Sequence, residues 1–139
     1  MLKNRKGFSL IELMIVVVII GILVAIAVPN FISMQNRAKE GSVKANMHTF
    51  QLAMEDYAVQ NDGTYAVAAD KDDVEALFPG GAWPKNPFTG SAYADADVGF
   101  GADPDAAGEM AANPATASGY TIKGYGKSAI LALTLTNGS

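Results

Sequence analysis

From Leu13 to Val28 the chain runs sixteen residues without a charge, LMIVVVIIGILVAIAV. Counting back to Phe8 gives twenty-one residues interrupted only by Ser9 and Glu12. A helix needs about 20 apolar residues to cross a bilayer, so this stretch has the length of a membrane span. Glu12 is the only ionisable residue between Lys6 and Arg37. A carboxylate at the edge of hydrocarbon costs at least ~2 kcal/mol unless something pairs with it. Any reading of the N-terminal segment must therefore account for Glu12.

Lys3, Arg5 and Lys6 precede the apolar run. Basic residues flanking a span stay cytoplasmic, which places the C-terminal bulk on the outer side of the membrane. Three architectures share these features. One is a secretory signal cut after Ala25-Ile26-Ala27, a small-x-small site. A second is a permanent signal anchor. In the third, a short leader is removed just before the apolar run, which stays in the mature protein. Glu12 favours the third, because neither rival needs it. So does the helical pattern that continues past Val28, where a signal peptide should give way to an unrelated mature start.

Composition narrows the rest. The 139 residues suit one domain with an appended segment. Residues 8–139 carry 7 basic and 14 acidic side chains, which argues against direct nucleic-acid binding. The absence of cysteine excludes disulfides, thiolate zinc sites and a cysteine nucleophile. The single histidine, His48, rules out a multi-histidine metal site or a Ser-His triad within one chain, and reads as an ordinary helix residue. The sequence has no phosphate loop, nucleotide fingerprint or catalytic dyad, so an enzyme is not expected. A membrane-anchored or secreted enzyme or binding domain would be the reading if the N-terminus were ordinary targeting sequence.

After Pro29 the pattern becomes amphipathic. Val43, Met47, Phe50, Met54 and Tyr57 recur at spacings of 4, 3, 4 and 3, one face of a helix. Asn61-Asp62-Gly63 supplies the stop, with Gly63 suited to a left-handed cap. The expected helix runs from about Phe8 to Gln60, roughly 80 Å at 1.5 Å per residue. Pro29 lies inside it, removing a donor and crowding the carbonyl of Ala25, at about 3 kcal/mol in a regular interior. With Gly21 eight residues earlier, Gly21–Pro29 is the weakest stretch of the rod. Further on, Asp70 to Phe78 reads as a short helix capped by Asp70. Trp83 to Gly90 reads as an ordered loop pinned by Trp83 and Phe88. Residues 102–118 lack periodicity and read as a long mobile surface loop. Val98–Phe100, Tyr120–Lys123 and Ile130–Leu135 are strand-like. The expected fold class is α+β: a long N-terminal helix, apolar in its first half, packed through its second half on a small antiparallel sheet.

At Lys6-Gly7-Phe8-Ser9-Leu10-Ile11-Glu12-Leu13 the chain resembles the prepilin peptidase recognition motif of type IV pilins and type II secretion pseudopilins. Gly21, Pro29, Asn30 and Phe31 also match positions typical of that family's long helix, and the likeness covers about residues 1–60. It implies a leader of residues 1–7 cut after Gly7, N-methylation of Phe8 and a filament-core segment of residues 8–29. Residues 30–139 would be a pilin head that includes the amphipathic half of the helix. It further implies that Glu12 attracts the Phe8 amine of a neighbouring subunit and so fixes axial register. The Gly21–Pro29 region would lose helical order on assembly and make the fibre extensible.

The partners implied are a prepilin peptidase and methyltransferase, further copies of the chain, and an inner-membrane pilus or secretion platform. The chain would begin as a single-pass precursor in the cytoplasmic membrane. It would end in an extracellular pilus or, for a pseudopilin, in a short periplasmic filament. The pseudopilin alternative stays open, although Tyr65-Ala66-Val67 stands where major pseudopilins usually show Tyr-Pro-Thr. No cofactor is expected. Asp95, Asp97, Asp103 and Asp105 are weak candidates for calcium, a hard cation that takes carboxylate oxygens; their spacing matches no ligand pattern.

Overall fold

The computed structural model describes residues 7–138; of the expected leader, residues 1–7, all but Gly7 lie outside the described residues, Lys3, Arg5 and Lys6 among them. A single helix, α1, runs from Leu10 to Gln60 without a break at Gly21 or Pro29. The chain divides into two compact units, one reaching to residue 35 and the other starting at residue 36.

In the first unit every residue from Phe8 to Gln35 is exposed. The helix is apolar on all sides here. A helix of that character belongs in a membrane or in the core of a larger body.

The second unit has a conventional core. Val43, Met47, Phe50 and Met54 are completely buried, as their spacing predicts, and Tyr57 packs against them from the margin. Each fully buried side chain of this kind stabilises by ~1.5–3 kcal/mol relative to exposure. Phe50 is the hub, with ring centroids 6.0 Å from Phe78, 5.8 Å from Trp83 and 5.6 Å from Phe100. The helix ends where Asn61-Asp62-Gly63 turns: the Gly63 N–H donates to the Ala58 carbonyl at 2.8 Å with Gly63 at φ +83°. The left-handed cap is the one the sequence predicts.

A short helix, α2 (Lys71–Ala76), follows a 3-10 turn at Ala68–Asp70. Asp70 occupies its N-cap position, but its carboxylate accepts from the Val67 N–H at 2.9 Å, so it caps the preceding turn instead. Trp83 is buried and Phe88 half-buried, as the ordered-loop reading requires.

Four strands complete the head: β1 (Val98–Phe100), β2 (Met110–Thr116), β3 (Gly119–Tyr125) and β4 (Ile130–Thr136), in spatial order β1-β2-β3-β4. Two expectations need correction. The sheet is mixed, because β1 pairs with β2 in parallel. Gly101 at φ +84° turns the chain out of β1, and the loop 101–109 returns it to the same end before β2 begins. The expected loop over 102–118 is also shorter, since residues 110–116 form β2. Ala111 and Ala112 are buried there, and side chains so small leave no alternation of large apolar residues to read. Pro114, which argues against a central strand, sits where the register shifts between Ala112 and Ala115, a position sheets tolerate.

The remaining strands match expectation. β3 turns Tyr120, Ile122 and Gly124 inward, and Leu131, Leu133 and Leu135 of the edge strand β4 are partly buried against the core. β3 approaches α1 so closely that a Cβ on Gly124 would meet Met47 Sδ at 2.6 Å and Val43 Cγ1 at 2.9 Å.

Candidate functional site

The residues that carry most of the chemistry lie at the start of α1. Ser9 takes the N-cap position, its carbonyl accepting from the Leu13 N–H at 3.3 Å. Glu12, three residues on, accepts the Ser9 backbone N–H at 2.8 Å through Oε2. This is one half of the reciprocal bonding of a capping box, and it places a carboxylate where the helix dipole favours negative charge. Within a single chain Glu12 is therefore not without a partner. The sequence signal for this bond is the Ser9-x-x-Glu12 spacing ahead of an apolar run.

Gly7 and Phe8 lie just outside the helix with no regular structure, and Phe8 is 71% exposed. Their peptide bond is open to a partner. The nitrogen of Phe8 is next along the chain to the N–H that Glu12 already accepts. A free amine there would come into the neighbourhood of the same carboxylate, and two opposite charges in an apolar medium are each costly unless paired. Gly21 meets no neighbour where a side chain would stand, and Pro29 is accommodated inside α1. Around and between them the helix presents an uninterrupted apolar surface. Among the described residues α1 is the one helix long and apolar enough to cross a membrane.

The four candidate calcium ligands are not drawn together. Asp103 forms an ion pair with Lys123 at 2.8 Å and also accepts from Asn113 at 2.8 Å. Hydrogen bonding from Lys123, then Asn113, holds the Asp103 carboxyl below its usual range. Asp97 accepts the Ala94 N–H at 2.8 Å, closing its own turn. Asp95 approaches Lys71 at 4.0 Å, and the Asp105 N–H donates to Glu109 at 3.0 Å. Among the described residues no three His, Asp or Glu side chains gather so as to hold a metal ion.

Two polar devices in the head escaped sequence reasoning. Glu55, on the second half of α1, accepts from Tyr120 at 2.5 Å and Tyr65 at 3.2 Å, whose rings meet edge to face at 5.2 Å. Burial, then the bond to the Glu55 carboxylate, raises the Tyr120 hydroxyl far above its ordinary range. Asn86 is buried and stitches its loop: Oδ1 accepts the Phe88 N–H at 2.8 Å and Nδ2 donates to Ala107 at 3.1 Å. Its neighbour Gly108 leaves no room for a side chain, since a Cβ would stand 2.0 Å from Asn86 Oδ1.

Comparison with known proteins points to the same segment. Residues 2–28 match the family model described as the prokaryotic N-terminal methylation motif. The type IV major pilin of Myxococcus xanthus is 51% identical over 59 residues, covering 42% of this chain and 27% of that protein. The type IV narrow pilus major component of Thermus thermophilus is 48% identical over 60 residues, 43% of this chain and 52% of its own length. The type II secretion system core protein G of Pseudomonas aeruginosa is 36% identical over 87 residues, 60% of this chain and 59% of that protein. This chain thus spans between 27% and 59% of the length of these relatives. No solved structure matches it.

Proposed function

We propose that this chain, whose N-terminal segment matches the prokaryotic N-terminal methylation motif and is similar to type IV pilins and a type II secretion core protein G, is the structural subunit of a type IV pilus-like filament. The precursor inserts in the cytoplasmic membrane with Lys3, Arg5 and Lys6 on the inner side. A prepilin peptidase and methyltransferase cuts after Gly7 and methylates the new amine of Phe8. An inner-membrane platform then adds the subunit to a polymer of identical copies. The apolar runs of many copies bury one another, and Glu12 of each copy pairs with the Phe8 amine of a neighbour. Methylation leaves that amine charged, so the pairing survives it. Gly21–Pro29 gives the rod its compliance, and Pro29→Ala should stiffen the fibre in a pulling measurement.

The observation that supports this reading best is a coincidence of features at one place. The methylation motif, an exposed Gly7–Phe8 bond and a helix exposed along its apolar run adjoin one another. The test is the N-terminal mass of the protein from its native envelope. A chain beginning at Phe8, heavier by one methyl group, is expected. A chain beginning at Val28 would make the apolar run a discarded signal, and the reading would fall.

One observation favours a second reading, the pseudopilin of a type II secretion system. The match to the Pseudomonas aeruginosa protein extends over 60% of this chain, beyond the 42% and 43% of the two pilins. Immunolabelling separates the two: label along fibres outside the cell supports the pilus, and label confined to the envelope supports the pseudopilus.

A further inference from the structure

The charges of the head are sorted along α1. Residues 36–139 hold seven basic side chains: Arg37, Lys39, Lys44, Lys71, Lys85, Lys123 and Lys127. Lys71 and Lys123 have carboxylate neighbours, Asp95 and Asp103. The other five gather at the foot of the head, around residues 37–46 of α1. Two of them arrive from far along the chain. The Lys127 N–H donates to Glu40 Oε1 at 3.2 Å, and the Lys85 carbonyl accepts from Asn46 Nδ2 at 3.3 Å. Lys39 lies over the Phe88 ring, 5.5 Å from its centroid. Arg37, Lys44, Lys85 and Lys127 are exposed and enter no ion pair among the described residues. Glu40 is the one acidic residue from Arg37 to Asn46, and the Lys127 N–H engages it. The other end of the head is acidic. Asp56 follows Glu40 by sixteen residues, about 24 Å along the helix. Asp62 lies in the turn that ends α1, and Asp73 of α2 lines one surface hollow with Tyr57 and Asn61. Asp56, Asp62, Asp72 and Asp73 are all exposed.

We propose that this basic foot is a docking surface for the anionic phospholipid headgroups of the membrane that receives the apolar run. It holds the head on the outer leaflet while the subunit waits to be assembled. The inference rests on the membrane insertion proposed above and adds what the head does there. Three observations choose this occupant. Arg37 and Lys39 come three and five residues after Met34, the last exposed large apolar side chain of the run, so along the chain the foot adjoins the segment that lies in lipid. Ammonium and guanidinium groups match the oxygens of a phosphate. The carboxylates at the far end add orientation, since an anionic surface repels that end and attracts the foot. A nucleic acid lying along the head would meet those carboxylates as well.

Each Lys or Arg close to an anionic surface gains about fivefold in binding. The gain fades over a Debye length of about 8 Å at physiological salt, so only residues at the foot collect it. Lysine and arginine stems are long enough to reach a headgroup while their backbone stays in the fold. The four exposed cations act together, and the ordering of their side chains offsets part of the sum.

The test uses the full chain in neutral-detergent micelles, with native mass spectrometry following the binding of phosphatidylglycerol and, for comparison, of zwitterionic phosphatidylcholine. Phosphatidylglycerol should bind about tenfold more tightly, and Arg37→Gln, Lys44→Gln, Lys85→Gln and Lys127→Gln together should lower that preference about fivefold or more. The leader cations Lys3, Arg5 and Lys6, where still attached, are common to both proteins, so the difference isolates the foot. Adding Asp56→Asn, Asp62→Asn, Asp72→Asn and Asp73→Asn to that variant restores the net charge and should not restore the preference. Recovery would assign the preference to net charge and overturn the site, as would a preference that the four glutamines leave unchanged. Foot-dependent multimers that form without lipid, or foot-dependent capture of duplex DNA, would give the surface to another occupant and overturn the proposal. A membrane-embedded wild-type chain with no preference overturns the foot and leaves the filament reading standing. A chain that alkaline carbonate washes from its native membrane overturns both. Should the quadruple variant not fold, the wild type decides: the preference must fall about threefold or more between about 0.05 and about 0.5 M salt, as screening requires, and a salt-independent preference overturns the proposal.

Discussion

The two halves of α1 share one backbone and obey different physics. Residues 36–60 bury one face against the strands and loops of their own chain, and Val43, Met47, Phe50 and Met54 make that half part of a cooperative core. The run from Phe8 to Phe31 buries nothing, although its residues are more apolar. A helix apolar on every side suits lipid or a larger protein core, and on the filament reading proposed above its sequence answers to assembly and not to folding. A substitution there should leave the stability of the head alone. One on the buried face should do the reverse.

The largest effect on that division should come from Glu12→Gln. The amide oxygen still accepts the Ser9 N–H, so the cap at the start of α1 survives while the charge is lost. An unpaired ammonium in an apolar interior costs several kcal/mol, on the order of a hundredfold or more in assembly. Surface filament should disappear while processed protein accumulates in the membrane and the head melts at its usual temperature. Wild-type filament yield would mean that capping, not charge pairing, is what Glu12 does. On the other side of the division, Gly124→Val should cost the head ~1–3 kcal/mol by overpacking against Met47 and Val43. Denaturant unfolding of the full chain in detergent, followed through Trp83 fluorescence, measures it. An unchanged midpoint would show that β3 can move away from α1.

How much of this was legible beforehand follows the same line. The apolar run, the Val43–Tyr57 face and the Gly63 stop were readable because large apolar residues repeat at helical spacing. The leucine alternation of β4 was readable in the same way. β2 was hidden because Ala111 and Ala112 pack as strand residues without the bulk that marks one, and because Pro114 is a residue that a central strand holds only at an irregularity such as this register shift. The parallel pairing of β1 was beyond a local pattern, since it depends on where a nine-residue loop returns the chain. Glu55 and Asn86 were missed because polar residues are taken as surface until their partners are known. At the helix start the Ser9-x-x-Glu12 spacing is itself a capping signal, legible without any partner from another chain.

Asn86→Ala is expected to rank third. It leaves the Phe88 N–H and the Ala107 carbonyl without their bonds in a half-buried loop, at ~1–3 kcal/mol. The same unfolding measurement reads it, and an unchanged midpoint would mean that water replaces both bonds. Filament yield should fall only as far as the folded fraction does, unlike the loss expected from Glu12→Gln.

The smallest effect should be Tyr120→Phe, and pH exposes it best. The Tyr120 hydroxyl is held protonated in the folded head, first by burial and then by its bond to Glu55. In the unfolded chain a tyrosine loses its proton near pH 10. Below that both states carry the proton and the preference for the folded state is fully present. As pH rises above it, the unfolded chain releases the proton and the folded head does not, so stability must fall. The wild-type head should therefore lose stability steadily in strong alkali, and Tyr120→Phe should flatten that slope while costing about 1 kcal/mol at neutral pH. The apolar half of α1 contains no tyrosine, so membrane insertion should not respond to this substitution. An unaltered alkaline slope in Tyr120→Phe would assign the pH dependence to another group and remove the Tyr120–Glu55 bond from among the ties that hold the second half of α1 to its sheet.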